Sequence, residues 1–133
     1  VSALVRKFVE AKDNNTPEVE VWGDGTQTRE LIYIEDQIKA LLAVIDYDGD
    51  LINIGTGSTT TIRDLAETIK VLVGYDGNIF YNTNRFVGVK HKVLNISLAK
   101  EKFGWMDTIN PDTLENNLRK TINWYNENKH LIK

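Results

Sequence analysis

The run LINIGTGSTTTIRDLAETIKVLVG, residues 51 to 74, narrows the fold of this chain more than any other stretch. Four residues, 51 to 54, have the length and apolar character of a buried strand, and Gly55-Thr56-Gly57 then turns the chain. An amphipathic helical pattern over 62–73 follows, closed by Gly74. A strand handed to a helix across a glycine turn is the unit from which α/β domains are assembled. Thr61 and Asp64 fit a variant of the helix capping box, in which the Thr side chain satisfies a free backbone N–H and an acid three residues on complements the helix N-terminus. Because Asp is shorter than the usual Glu or Gln, the reciprocal bond of that box is left open.

The same alternation continues along the chain, without internal repeats or low-complexity segments. Spacing predicts helices over 2–12, 36–46, 62–73, 97–103 and 112–128, and strands over 30–34, 51–54 and 78–82. An extended stretch is expected over 19–22, and an extended or turn segment through 85–95. Leu4, Val5, Phe8 and Val9 make the apolar stripe of the first helix, and Ile38, Leu41, Leu42 and Ile45 that of the second. Asp13-Asn14-Asn15-Thr16-Pro17 ends the first helix, and Asn110-Pro111-Asp112 begins the last. The fold class is α/β. The helical pattern is already under way at Val1, which is not a Met, so the chain is expected to be a segment of a longer protein.

Two arrangements imitate catalytic or cofactor motifs. Gly55-x-Gly57 between a strand and a helix looks like a dinucleotide fingerprint, but its third Gly would fall at Thr60, whose side chain obstructs the close helix packing that motif relies on. A structural turn and cap is favoured there. Tyr125 and Lys129 have the Tyr-x-x-x-Lys spacing that can place a phenol beside an ammonium and lower its pKa for proton transfer. Asn-Glu-Asn between them predicts a solvated helix face, and neither a Ser partner nor a cofactor loop precedes them at the spacing such enzymes use.

The segment VWGDGTQTREL, residues 21 to 31, carries the most suggestive binding chemistry. Trp22 offers an aromatic plane for a base or ribose, and Arg29 a planar, permanently charged fork suited to a diphosphate. Gly23 and Gly25 let the backbone turn between them. A capped hairpin with a core Trp is the structural alternative.

With 133 residues, 41% of them hydrophobic and no long apolar run, the chain can bury one core, which makes disorder and a membrane span poor readings. One domain at most is expected. The net charge of −3 gives no general attraction for nucleic acid or an anionic membrane, so any phosphate-binding cation must act locally. Absence of Cys rules out disulfides and thiolate chemistry, and His91 and His130 are too isolated to suggest a metal cluster. A cytoplasmic home is the default.

Taken in order, SALVRKF, VWGDGTQTREL with IYIED, INIGTGSTTTIRDLA and VKHKVLNISLAKEKFGW resemble the C-terminal half of an extended short-chain dehydrogenase/reductase of the NAD-dependent epimerase/dehydratase family, acting on nucleotide sugars. The pattern is nearest the GDP-L-fucose synthase branch, approximately ALxRKF, VWGxGxxxREFxHVDD, INxGTGxxxTIxELA and GW. The resemblance implies a single substrate-binding segment over 1–133 that lacks most of the Rossmann domain, with 51–54 a strand of the missing sheet. It implies Lys7, Trp22, Arg29, Arg85 and Lys92 as substrate contacts, and no catalytic, cofactor-binding or metal residue within the chain. In the intact enzyme, NADP(H) or NAD(H) would be held by the N-terminal half, where a Tyr would move the proton and NADPH would deliver hydride to a 4-keto sugar after epimerisation. The implied partner is a GDP-linked nucleotide-diphosphate sugar, with GDP-4-keto-6-deoxymannose in the lead. The intact enzyme is expected to be a homodimer, and this segment, exposing the 51–54 strand and the Leu4, Val5 and Phe8 face, to self-associate or be only marginally stable.

Departures from that pattern keep other activities in view. Arg85-Phe86-Val87-Gly88 stands where the branch reads Lys-Pro-Asp-Gly, losing a Pro that stiffens the loop and an acid beside the Gly. Asn78 replaces a cation found in some members, and Tyr33 a His. A 4-epimerase or dehydratase of the same family is the alternative within the enzymes, and an inert nucleotide-sugar-binding or interaction module the alternative outside them.

Overall fold

A computed structural model describes residues 1–105 and 112–132 of the chain. The chain passes back and forth between two compact units. The first comprises Val1–Gln27, Thr61–Lys90 and Thr113–Lys133, and the second Thr28–Thr60 and His91–Asp112.

The first unit is built on helices α1 (Ser2–Asp13), α3 (Ile62–Val73) and α5 (Leu114–Asn128) and on two strands, β1 (Glu18–Trp22) and β4 (Asn78–Asn82). The strands run parallel, with Val19 opposite Ile79 and Val21 opposite Tyr81. Val19 and Val21 are buried while Glu18 and Trp22 are exposed, the period-two alternation of a sheet with one covered face. The three helices pack on one another, burying Val5, Phe8 and Val9 from α1, Leu65, Ala66, Ile69 and Val73 from α3, and Leu118, Ile122 and Tyr125 from α5. Val5 and Phe8 are therefore satisfied at home, and the expectation that their face is left open for another domain is corrected.

Thr61 caps α3 as its sequence suggests, accepting from the Asp64 backbone N–H at 2.9 Å. Asp64 reciprocates through the Thr61 hydroxyl, at 2.6 Å, its carboxylate taking the O–H. Gly74 ends α3 in the left-handed conformation, φ 69°, which a side chain would strain. Thr113 caps α5 in the same manner, accepting from Asn116 N–H at 3.2 Å. Asp112 lies just before that cap, whereas Asn110 and Pro111, also expected to mark it, fall outside the described residues. A short 3-10 turn, Lys129–Leu131, follows α5.

The second unit holds β2 (Thr28–Arg29), α2 (Ile34–Ala43), β5 (His91–Lys92) and α4 (Ser97–Phe103), while the two-residue strand β3 (Thr60–Thr61) falls where the chain leaves it. β2 and β5 are parallel, pairing Thr28 with His91 and Arg29 with Lys92. Ala40, Ile96, Ala99 and Trp105 form its core, with Ile32, Ile52 and Ile54 packed against them.

Several local expectations change here. No strand forms over 30–34: β2 ends at Arg29 and α2 already starts at Ile34, so that Glu35 and Asp36 lie in its first turn, where negative charge complements the helix dipole. No strand forms over 51–54. Ile52 and Ile54 contribute to the core, but Leu51 is 93% exposed, and a strand requires a neighbour to accept its ladder. α2 also inverts its expected polarity of burial: Ile38, Leu41 and Leu42 are exposed, as is Ile45 beyond its end, and the helix buries Ala40 and Asp36 instead.

Candidate functional site

Trp22 ends β1 and is half exposed, so it is not the core Trp of a capped hairpin. Glu20 lies two residues earlier on the same strand face. Its carboxylate organises the surroundings: Oε2 accepts the Trp22 indole N–H at 3.2 Å, and Oε1 accepts from Asn82 Nδ2 at 2.6 Å and Arg85 Nε at 3.4 Å. Asn82 is oriented by the backbone N–H of Asn84, which donates to its Oδ1 at 3.0 Å. The Arg85 guanidinium stands over the Trp22 ring, 5.3 Å from its centroid, a cation–π arrangement. The Asn82 hydrogen bond, followed by those from Trp22 and Arg85, holds the Glu20 carboxyl below its usual pKa against an opposing desolvation effect. Lys7 reaches the same strand from α1, its ammonium donating to the Glu20 carbonyl at 2.8 Å.

The turn after Trp22 is built tightly. Asp24 Oδ1 accepts from Thr26 N–H at 2.9 Å and from its hydroxyl at 2.7 Å, and the backbone bond foremost lowers the Asp24 pKa. Arg63 donates to the Asp24 carbonyl at 2.6 Å while its guanidinium lies over Tyr81, 3.8 Å from the ring centroid. Gly23 and Gly25 both have φ of 81°, and a Cβ on Gly25 would come within 2.8 Å of the Tyr81 ring. Both glycines are thus required by conformation as well as by space.

In the second unit Arg29 and Lys92 are register partners across β2 and β5, which puts two cations on neighbouring strands. Arg29 Nη1 donates to the Thr28 carbonyl at 2.7 Å, and the Thr28 hydroxyl meets His91 Nδ1 at 2.5 Å. Among the described residues, neither Arg29 nor Lys92 has a carboxylate ion-pair partner. The sequence-selected residues therefore fall into two groups: Lys7, Trp22 and Arg85 around Glu20 in the first unit, and Arg29 with Lys92 in the second.

The glycine turn at 55–57 is occupied by the protein's own groups. Glu30 Oε1 accepts the Gly57 N–H at 2.6 Å, and its other oxygen accepts the Leu94 N–H at 2.7 Å. The Trp105 indole N–H donates to the Gly55 carbonyl. A carboxylate thus sits on the donor that a cofactor phosphate would need, and the residues of this turn do not fit a dinucleotide. Tyr125 and Lys129 make contacts with α1 and its C-terminal end. The Tyr125 hydroxyl faces Glu10 Oε1 at 3.4 Å, and Lys129 pairs with Asp13. Burial first and Glu10 second raise the Tyr125 pKa, the opposite of what a proton-transfer phenol requires. No three metal-ligating side chains converge among the described residues.

Glu20, Asn82 and Glu30 were not singled out from the sequence. The alternation of β1 puts Glu20 beside Trp22 and could have identified it. Glu30 adjoins Arg29 in sequence, but its partners at 57 and 94 are brought to it only by folding.

Residues 1–55 match the model of the NAD dependent epimerase/dehydratase family. Over 128 residues the chain is 36% identical to a probable GDP-L-fucose synthase 1 of Oryza sativa subsp. japonica, covering 95% of this chain and 38% of the relative. A crystal structure of UDP-glucose 4-epimerase with UDP-glucose from Thermotoga maritima is 32% identical with a TM-score of 0.79, over 95% of this chain and 40% of that one. A GDP-L-fucose synthetase from Naegleria fowleri bound to NADP superposes with a TM-score of 0.87 at 23% identity, over 96% of this chain and 40% of that one, a likeness of fold. The chain thus spans about two fifths of the length of the relatives it matches. The order of motifs, the α/β architecture and these likenesses agree: the chain belongs to the NAD-dependent epimerase/dehydratase family, with the fold of the extended short-chain dehydrogenase/reductases.

Proposed function

We propose that the chain is the nucleotide-sugar-binding portion of an NAD(P)-dependent sugar-nucleotide epimerase/reductase of the GDP-L-fucose synthase kind. The observation that carries this reading is the half-exposed Trp22 ring with the Arg85 guanidinium above it, an aromatic plane and a cation already assembled on one strand end. In the second unit, Arg29 and Lys92 offer a further pair of cations for phosphate oxygens. GDP-linked substrate is favoured by the 34% to 36% identity to proteins named GDP-L-fucose synthase. The UDP-sugar 4-epimerase reading stays as the second, supported by the 32% identity to the Thermotoga maritima enzyme.

The cofactor of the intact enzyme is NADP(H) or NAD(H), held outside this chain, a reading supported by the Glu30-occupied glycine turn and by the NADP bound to the Naegleria fowleri protein. No helix among the described residues is long and apolar enough to cross a membrane. Calorimetry with GDP, UDP and NADPH tests these assignments together. GDP should bind more tightly than UDP, and NADPH should show no saturable binding to the chain. UDP preference would transfer the reading to the 4-epimerases, while micromolar NADPH affinity would return Gly55 and Gly57 to candidacy.

A further inference from the structure

We propose that Glu20 is a positioning residue that keeps Trp22 in place and holds Arg85 as a transferable cation, releasing it to the phosphates of a nucleoside diphosphate. The inference rests on the nucleotide reading given above and adds how the first unit changes when ligand arrives.

Glu20 makes three contacts of unequal strength. The Asn82 amide, at 2.6 Å, and the Trp22 indole N–H, at 3.2 Å, are donors with no net charge. Asn82 is itself oriented by Asn84 N–H, so it is pre-set as a donor. Arg85 is the weakest partner geometrically, a single N–H at 3.4 Å, and its side chain is 54% exposed. An exposed, single-contact ion pair of this kind contributes little and exchanges readily. When Arg85 leaves, Glu20 keeps both neutral donors, so no carboxylate is stranded without hydrogen bonds. Trp22 keeps its edge anchored and presents ring surface alone, because its only N–H is already donated. Arg85, with five donors of which one is engaged, can take a diphosphate oxygen without first abandoning a strong partner.

The arrangement has a distinctive energetic consequence. Glu20 anchors the aromatic plane but competes with the ligand for the cation, so removing its charge while keeping one acceptor oxygen, the one that Asn82 uses, should strengthen phosphate binding. Glu20→Gln should bind GDP about two- to fivefold more tightly than the parent chain, the scale of an exposed ion pair. Inorganic pyrophosphate should show the same gain. Arg85→Ala should weaken both ligands, and the double variant Glu20→Gln, Arg85→Ala should match Arg85→Ala, because the gain runs through Arg85. In ¹⁵N spectra pyrophosphate, which has no base to stack on the indole, should shift the Arg85 Nε–H resonance while the Trp22 indole N–H stays near its ligand-free position. Glu20→Ala should displace the indole resonance even without ligand.

Unchanged or weaker GDP binding by Glu20→Gln, with Arg85→Ala still impaired, would reduce Glu20 to a structural acceptor and overturn the inference while leaving the nucleotide reading intact. Equal GDP binding by Arg85→Ala and parent would overturn the transfer of Arg85. If neither GDP nor pyrophosphate bound the folded parent chain, the nucleotide reading would fail, and the inference with it.

Discussion

Helices α1 and α2 have similar apolar spacing and opposite fates. In the first unit, Val5, Phe8 and Val9 turn inward and meet α3 and α5, and Tyr75 stands edge-on to Phe8 with ring centroids 5.7 Å apart. In the second, Ile38, Leu41 and Leu42 remain exposed while the small Ala40 faces the core with Ile96, Ala99 and Trp105. The difference teaches that an amphipathic stripe specifies a surface that stabilises when covered, and leaves its partner unspecified. One unit supplies cover from its own helices. The other carries an apolar face over α2, with Leu51 also exposed, which is the kind of surface on which proteins associate.

The sharpest test of this contrast removes one large side chain from each core. Phe8→Ala and Trp105→Ala should each cost about 3 to 5 kcal/mol, since both side chains are fully buried. Hydrogen exchange should separate them: Phe8→Ala should release amides of α1, α3 and β1, and Trp105→Ala those of α2, α4 and the 55–57 turn. Equal loss throughout the chain in both variants would show that the two units unfold as one.

Recognition gives the next largest effect. In a binding-competent protein, Arg29→Ala should lose about 1.5 to 3 kcal/mol of nucleotide-sugar affinity, and Trp22→Ala about 1 to 3 kcal/mol. NADPH affinity should be nearly unaffected. Calorimetry that found full nucleotide-sugar affinity in both folded variants would return Trp22 and Arg29 to structural roles.

Glu30→Ala removes the acceptor for Gly57 N–H and Leu94 N–H at once, and should lower stability by about 2 kcal/mol in denaturant unfolding. The effect should be confined to the second unit. Tyr125→Phe, in the first, should cost at most about 1 kcal/mol, since its hydroxyl makes one long contact with Glu10. Folding raises the Tyr125 pKa, so its contribution is fully present below the unfolded Tyr value of about 10 and is lost as pH climbs through the higher folded value. Ultraviolet titration should therefore find this phenol protonated at neutral pH and well beyond.

The smallest effect on stability concerns α2. Leu41→Lys with Leu42→Lys should change unfolding free energy by no more than about 0.5 kcal/mol per site, because both side chains are already exposed. Sedimentation should nevertheless show weaker self-association than the parent chain. A large loss of stability in the monomer would mean that this face is covered.

Much of the local structure was legible in the chain. Periodicity located α3 and α4 at their observed bounds and β4 over Asn78–Asn82, where flanking Gly74, Gly77 and Gly104 punctuate the pattern. The cap at Thr61 was legible because capping depends on residues three apart. The 51–54 segment was not, since a strand is defined by the neighbour that accepts its ladder. Of the candidate site, Trp22 was marked by its chemistry, and Arg85 and Lys7 only by the family resemblance. The carboxylate that gathers Trp22 and Arg85 was not marked, because Glu20 resembles any outward-facing strand residue until Asn82 and Arg85 arrive.

Residue order alone thus settled the α/β alternation, the glycine turns and the helix caps, all of which depend on neighbours within a few positions. Tertiary structure decided which apolar stripe found cover, which oxygen Gly57 donates to, and which carboxylates Tyr125 and Lys129 meet. Those outcomes depend on contacts between residues up to 116 positions apart, such as Lys129 with Asp13. Spacing along the chain carries no record of such distant meetings; only the packed backbone brings the charges and apolar faces together.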